Sequence, residues 1–401
     1  MKKEPRCLLF KSKDGLAPKG GPSAVCYYYM KEQERRNAND FDFLPSLNQN
    51  ASLHQKESKW QDKLPKWLFD LYNDIKLIVK YNIFLGGHYP VTPFNFSDYD
   101  IVHFHDVREL YSRRYELKNY KGIVVLQSHT PQPSGHELYN AIPSHIRYFI
   151  PFLSKRLERM DRIAFERADY IVFPCEDAEE PYYNDWKYYK TIHDSKKTHY
   201  KYVLTGIPAA KPKRSREDVC KELNIPHTDF MVSYVGRHNE VKGYADLKRI
   251  GEKFFNNDEH AWVVCAGKEE PIKRLDHERW LEIGWTNDAH SYIASSDVFV
   301  LPNKETYFDI VMLEVLSLGK IVIASRTGGN KFFEKAGCEG VFLYDTNDEA
   351  VELLSKVRNM SDEERHRLGE ANFEFYKKNN TVASMYDQYV EVINEIYQEN
   401  R

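Results

Sequence analysis

The stretch FMVSYVGRHNEVKGYADL, residues 230–247, decides the fold. Its first six residues carry no charge and read as a strand buried on both faces, the pattern of a parallel sheet covered by helices. Gly236 ends the run, Gly243 closes the turn, and a helical pattern follows. A strand that passes through a glycine turn into a helix is half of a βαβ unit. At the carboxyl edge of such a sheet the free amide N–H groups and the helix dipole favour an anion. Arg237 and Lys242 add two cations there. Taken alone, these cations read equally well as solvated loop charges.

The same alternation runs along nearly the whole chain. In the first half the β-rich runs are CLLF (7–10), DIVHFH (100–105), GIVVLQ (122–127), YIVFP (170–174) and YKYVL (200–204). The second half adds AWVVCAG (261–267), DVFVLP (297–302), KIVIAS (320–325) and GVFLY (340–344). A chain of 401 residues with 42% apolar content exceeds what one core usually needs. The expected fold class is therefore α/β, with two separate doubly wound, Rossmann-like domains. Gly206, Pro208 and Pro212 interrupt the pattern among basic residues. The division is a first domain over 1–205, a linker over 206–215 and a second domain over 216–379. Residues 380–401 form a last amphipathic helix able to cross back to the first domain, with Val382, Met385, Tyr386, Tyr389, Ile393 and Ile396 at helical spacing. Residues 36–66 read as an irregular insertion or loop. Ser361 and Glu364 offer a capping box for a helix to about Lys377.

Composition narrows the function classes. The chain has 57 Lys plus Arg against 60 Asp plus Glu, a net charge of −3, so no nucleic-acid footprint dominates. Residues 1–200 carry 30 basic and 26 acidic side chains (+4), leaving 27 and 34 (−7) for the rest. Six scattered cysteines without a CxxC pair or zinc-finger histidines read as reduced core thiols. The apolar run near the start is too short for a signal peptide, and no transmembrane run of about 18 residues occurs. The expected location is cytoplasmic, with the inner face of a membrane as the alternative. The 28 Tyr and 22 Phe read first as core filling and only second as stacking platforms.

Downstream of the opening stretch come Gly284-Trp285 after a short strand, SDVFVLP (296–302), Glu305 on the next loop, Glu314 in the next helix, LEVLSLGK (313–320) and the turn Thr327-Gly328-Gly329. Together with GRHNEVKG (236–243), this order and spacing resembles the nucleotide-sugar half of glycosyltransferase family 4. These are retaining enzymes of the GT-B fold, in which two Rossmann-like domains face each other across a cleft. The resemblance implies that Arg237 and Lys242 neutralise a donor diphosphate at the start of the helix that follows Phe308, Asp309 and Ile310. It implies that Glu314 accepts hydrogen bonds from ribose, with Trp285 and Gly236 beside the nucleoside. Glu305 would hold hydroxyls of the transferred sugar and stabilise positive character at its anomeric carbon. Glycosyl transfer builds negative charge on the leaving diphosphate, so fixed cations and a helix N-terminus could stand in for a metal ion. Two departures stand out. Glu305 and Glu314 enclose eight residues where the family has seven, and Asp309 occupies the place of a common glycine.

In the first half, GLAPKGGPSAVCYYYM (15–30) sets Gly20 and Gly21 between a strand and its helix, where the family carries a glycine-rich loop. YDIVHFHD (99–106) gives His103, His105 and Asp106, and the next strand ends at His129. By the resemblance, His129 lies near the transferred sugar. A His-x-His pair on one strand face lacks an evident third ligand, so a satisfied buried His103 is preferred to a metal site. YIVFPCED (170–177) and VLTGIP (203–208) extend the resemblance. No cofactor beyond the nucleotide-sugar co-substrate is expected, with UDP favoured over GDP, and no metal.

The implied partners are that donor and a saccharide or lipid-linked acceptor, in bacterial surface polysaccharide or glycolipid synthesis, with no nucleic acid. Peripheral membrane contact has two candidates: residues 59–81, which mix Trp60, Trp67, Leu68, Phe69, Leu71 and Ile75 with lysines, and 141–167, with six Lys or Arg against three Asp or Glu. Either could instead pack on a core. Other readings keep the fold as a phosphorylase, a nucleotide-sugar epimerase or a non-catalytic partner subunit. A metal-dependent single-sheet transferase would need a DxD motif, and Asp40-Phe41-Asp42 and Asp98-Tyr99-Asp100 stand away from the other donor motifs.

Overall fold

A computed structural model describes residues 5–11, 16–18, 21–44, 65–86 and 94–401. By its contacts the chain divides into two units. The first comprises Met1–Phe173, Tyr182–Val203 and Gln388–Arg401, and the second Pro174–Pro181 and Leu204–Asp387. The long helix Val382–Glu399 thus ends in the first unit.

Among the described residues each unit holds one six-stranded sheet. The first consists of β1 (Cys7–Phe10), β2 (Phe41–Leu44), β3 (Ile101–Phe104), β4 (Ile123–Gln127), β5 (Tyr170–Phe173) and β6 (Tyr200–Tyr202), in the spatial order β2-β1-β3-β4-β5-β6. The second consists of β7 (Phe230–Val235), β8 (Ala261–Ala266), β9 (Trp280–Gly284), β10 (Val298–Leu301), β11 (Ile321–Ser325) and β12 (Val341–Tyr344), in the order β12-β11-β10-β7-β8-β9. Every pairing is parallel. Helices cover both faces, which is why β1, β3, β5 and β10 are buried along their whole length.

The expected runs all fall on strands. The stretch 36–66 departs from its expected irregularity: β2 lies inside it, paired with β1 from Cys7↔Phe41 to Phe10↔Leu44. Its residues 45–64 lie outside those described. Phe41 is buried while Asp42 is exposed, as suits an edge strand with one covered face. Ser361 caps the helix Asp362–Asn379, its hydroxyl accepting from Glu364 N at 3.2 Å. All six cysteines are free and buried.

Both sheets have a point where the chain, having built one side, returns to build the other. In the first sheet this lies between β1 and β3, and in the second between β7 and β10. Open α/β sheets bind ligands at such switch points, outside the carboxyl ends of the strands.

Candidate functional site

At the second sheet's switch point two loops meet, the turn 236–243 after β7 and the loop 302–309 after β10. Gly243 lets them approach. It adopts φ +64°, and a Cβ there would sit 1.6 Å from the Pro302 carbonyl oxygen. Lys304 N donates to Val241 O at 2.9 Å, fastening the loops side by side. The turn 327–329 closes the far side of the second loop: Gly328, at φ +43°, would bring a Cβ to 2.0 Å from Thr306 O. Glu180 ties this turn down, pairing with Lys331 and accepting from Gly328 N at 3.3 Å.

The expected diphosphate residues stand on these loops. Arg237 is exposed, and its guanidinium forms no ion pair or hydrogen bond among the described residues. Tyr234 holds the turn beneath it, donating its hydroxyl to Arg237 O at 2.9 Å. Lys242 is paired with Asp309, across 67 positions of sequence. Asp309 also accepts from Asn303 Nδ2 at 2.7 Å. Burial pushes the Asp309 carboxyl up, but the charge and hydrogen bond of Lys242, with Asn303, outweigh it and hold the group below its ordinary value. Asp309 is the residue before the helix Ile310–Ser317, so the carboxylate stands at that helix's positive end. The Phe308 ring is buried against Phe333 at 5.3 Å, which leaves only its backbone for a ligand. Ile310 is partly exposed.

Glu305 lies half-buried on the loop. Glu314 points from the helix Ile310–Ser317 to His290, Nε2 to Oε1 3.5 Å, and this hydrogen bond raises the imidazole's pKa. Lys211 N donates to the other ring nitrogen at 3.3 Å. Gly236 approaches the neighbouring strand closely, its N–H donating to Ala266 O at 3.0 Å, so that amide is not free for a ligand. Trp285, one residue past β9, is 80% exposed, a large flat ring left in solvent at the sheet edge. Sequence reasoning missed Asn303, His290 and Glu180, which hold the expected groups from positions distant in sequence.

At the first sheet, Gly20 lies outside the described residues. Gly21 opens the helix Gly21–Arg36 at φ +62°, with open space where a Cβ would stand. His129 follows β4, and its Nε2 lies 3.0 Å from Nδ1 of His105, which follows β3. His103 is buried with Nδ1 2.5 Å from the Tyr389 hydroxyl. Burial holds His103 and His105 well below the ordinary histidine value and lowers His129 to about 4. Asp106 caps the helix Val107–Arg113 through Arg108 N at 2.7 Å. No group of three His, Cys, Asp or Glu side chains among the described residues is arranged to hold a metal ion.

The helix Lys66–Leu85 belongs to the first unit and buries only Tyr81 and Leu85. Trp67, Leu71, Ile75, Val79 and Ile83, four residues apart, face solvent, with Trp67 66% exposed. Asn82 bonds Arg156 of the helix Pro151–Arg167, whose first turn and preceding residues expose Tyr148, Phe149 and Phe152. No helix among the described residues is long and apolar enough to cross a membrane.

Two doubly wound parallel sheets define the class of architecture: the GT-B type. Residues 215–375 match the family model for glycosyl transferases group 1, so the chain carries a domain of that family. A lipopolysaccharide core biosynthesis glycosyltransferase of Rhizobium meliloti is 26% identical over 43% of this chain and 51% of its own length. A UDP-Gal:alpha-D-GlcNAc-diphosphoundecaprenol alpha-1,3-galactosyltransferase of Escherichia coli is 38% identical over 32% of this chain and 36% of its own. The chain spans about half the length of curated relatives such as the first. Among solved structures, sucrose-phosphate synthase from Thermosynechococcus elongatus superposes with a TM-score of 0.63 at 15% identity, covering 99% of this chain and 100% of that one. Anabaena HepE in complex with UDP-glucose gives 0.60 at 12% identity, covering 98% and 100%. At these identities the likeness is one of fold.

Proposed function

We propose that the chain is a retaining, metal-independent glycosyltransferase of family 4 type. It moves a sugar from a nucleotide diphosphate, UDP before GDP, to a saccharide or lipid-linked acceptor in surface polysaccharide or glycolipid assembly. One observation carries this reading: the β7/β10 switch point bears Arg237 and Lys242 on one loop, Glu305 on the other and Glu314 on the helix that follows. The names of the two curated relatives, a lipopolysaccharide and a lipid-diphosphate transferase, support the pathway class.

In this account the diphosphate lies at the start of the helix Ile310–Ser317, where the N-terminal dipole and two cations offset its charge. Lys242 exchanges Asp309 for phosphate as the donor arrives. Glu314 takes the ribose hydroxyls, Trp285 stacks on the base and Glu305 holds the sugar. As the anomeric C–O bond breaks, its electron pair goes to the diphosphate, and Arg237 and Lys242 stabilise the charge that grows there. The acceptor hydroxyl attacks from the same face, passing its proton to the leaving phosphate oxygen.

The Lys242–Asp309 pair also favours a second reading, a non-catalytic partner subunit with its anion site self-occupied. Incubation with UDP-, GDP- and ADP-sugars separates the two. The enzyme slowly releases nucleotide from one donor, loses this with Glu305→Ala, and yields a product that keeps the donor's anomeric configuration. Release from none of them would refute the enzyme reading.

The cytoplasmic face of a membrane is the proposed setting, and an anionic lipid surface the proposed occupant of the exposed Lys66–Leu85 face. Trp67, Tyr148, Phe149 and Phe152 are exposed side chains suited to the headgroup boundary, and Lys76, Lys80, Lys155 and Arg159 on the helices Lys66–Leu85 and Pro151–Arg167 are exposed as well, against exposed Asp70.

A further inference from the structure

The histidines at the carboxyl edge of the first sheet fix more than a position. Nδ1 of His105 and Nε2 of His129 are 3.0 Å apart, a hydrogen bond that needs a proton on one nitrogen and a lone pair on the other. Two arrangements satisfy it. If His129 donates from Nε2, a neutral His105 must carry its own proton on Nε2. That atom is buried and has no partner among the described residues, so a donor N–H would be orphaned. If His105 donates from Nδ1, its Nε2 is left as a bare acceptor. Orphaned buried N–H groups are rarer than under-satisfied acceptors, so the second arrangement is favoured. His103 does not alter the choice: its ring lies 4.1 Å from that of His105, but its Nδ1 turns to Tyr389 and its Nε2 is likewise buried without a partner among the described residues. Burial keeps the rings of His105 and His129 neutral at neutral pH, so no second proton relieves the conflict.

We propose that His105 is a positioning residue that locks His129 into the Nδ1–H tautomer, so that His129 presents a hydrogen-bond donor, not a base, at the edge of the first sheet. The group it recognises is an oxygen lone pair, as on a sugar hydroxyl, and His129 removes no proton from it. The use to which this donor is put rests on the glycosyltransferase reading; the tautomer itself does not.

The test is two-bond proton–nitrogen correlation NMR on the full chain with 15N-labelled histidine at neutral pH, the two rings assigned through His105→Asn and His129→Asn. The expected spectrum shows Nδ1 protonated in both His105 and His129. A proton on Nε2 of His129 overturns the proposal. A second experiment uses conservative rescue. Asparagine places an amide N–H near the position of histidine Nδ1, so His105→Asn keeps the His129 tautomer and kcat/KM within about twofold of the parent. His105→Leu releases His129 to its other tautomer and lowers kcat/KM roughly tenfold, about 1.4 kcal/mol. Equal losses in both variants, or none in either, contradict the positioning role. If no transfer activity exists at all, the functional reading fails while the NMR result still decides the tautomer.

Discussion

Asp309→Asn should strengthen the binding of a nucleoside diphosphate. The Asp309 carboxylate holds Lys242 and accepts from Asn303 at 2.7 Å. Asparagine keeps the shape and a carbonyl for Asn303 but removes the charge. A phosphate charge brought to Lys242 would stand about 6 Å from the carboxylate, a repulsion of about 3 kcal/mol at an effective dielectric near 20. The pair is partly open to water, with Lys242 28% and Asp309 12% exposed, so solvent and salt reduce this. A net gain of about 1.4 kcal/mol remains, or roughly tenfold in Kd. Loss of the ion pair costs the fold about 1–2 kcal/mol. Titration calorimetry of UDP against parent and variant, at low and high salt, measures the first effect, and urea unfolding the second. The affinity gain should shrink as salt rises. An unchanged or weaker affinity would refute the reasoning, because Asp309 would then be orienting Lys242 for the ligand instead of competing with it.

Three other outcomes follow from the same structure. Gly243→Ala forces a side chain into a positive φ and against Pro302 O, so we expect a loss of about 2–4 kcal/mol, read as a lower urea midpoint. His103 and His105 are held neutral by burial, so below about pH 6.5 the unfolded chain binds more protons than the folded one. Stability therefore falls as the pH drops, by about 1.4 kcal/mol per pH unit for each histidine until it protonates in the fold. Melting temperatures at successive pH values measure this, and His103→Phe should flatten the curve. Ile75→Glu with Val79→Glu should lower partitioning onto anionic vesicles roughly tenfold or more while leaving the melting temperature unchanged, since both residues already face water. Loss of a concentration-dependent dimer in place of vesicle binding would assign the face to a second copy.

The fold was legible where parallel strands are buried on both faces, because unbroken apolar runs such as FMVSYV and DVFVLP have few other uses. β2 escaped notice for the opposite reason. Its FDFL sits at an edge with Asp42 in solvent, inside a polar stretch that masks a four-residue strand. The candidate site was legible as a set of residue types, and Arg237, Lys242 and Glu305 lie on the two loops that follow β7 and β10. Its internal pairings were not. Lys242 meets Asp309 because the strand order sets β10 beside β7, and His290 meets Glu314 because the helix Ala289–Ser295 leading into β10 packs against the helix Ile310–Ser317 that follows it. The His-x-His pattern was visible as a shared strand face, yet the contact of His105 with His129 depends on the register that pairs His103 with Val125.

The central claim is that the second unit binds a nucleotide-sugar at the β7/β10 edge. Calorimetric titration of the full chain with UDP-, GDP- and ADP-sugars, repeated with Arg237→Ala and Glu314→Ala, addresses it directly. The account predicts saturable binding of one donor class, weakened at least tenfold, about 1.4 kcal/mol, by either substitution. Binding of no donor, or binding that both variants leave intact, would contradict it.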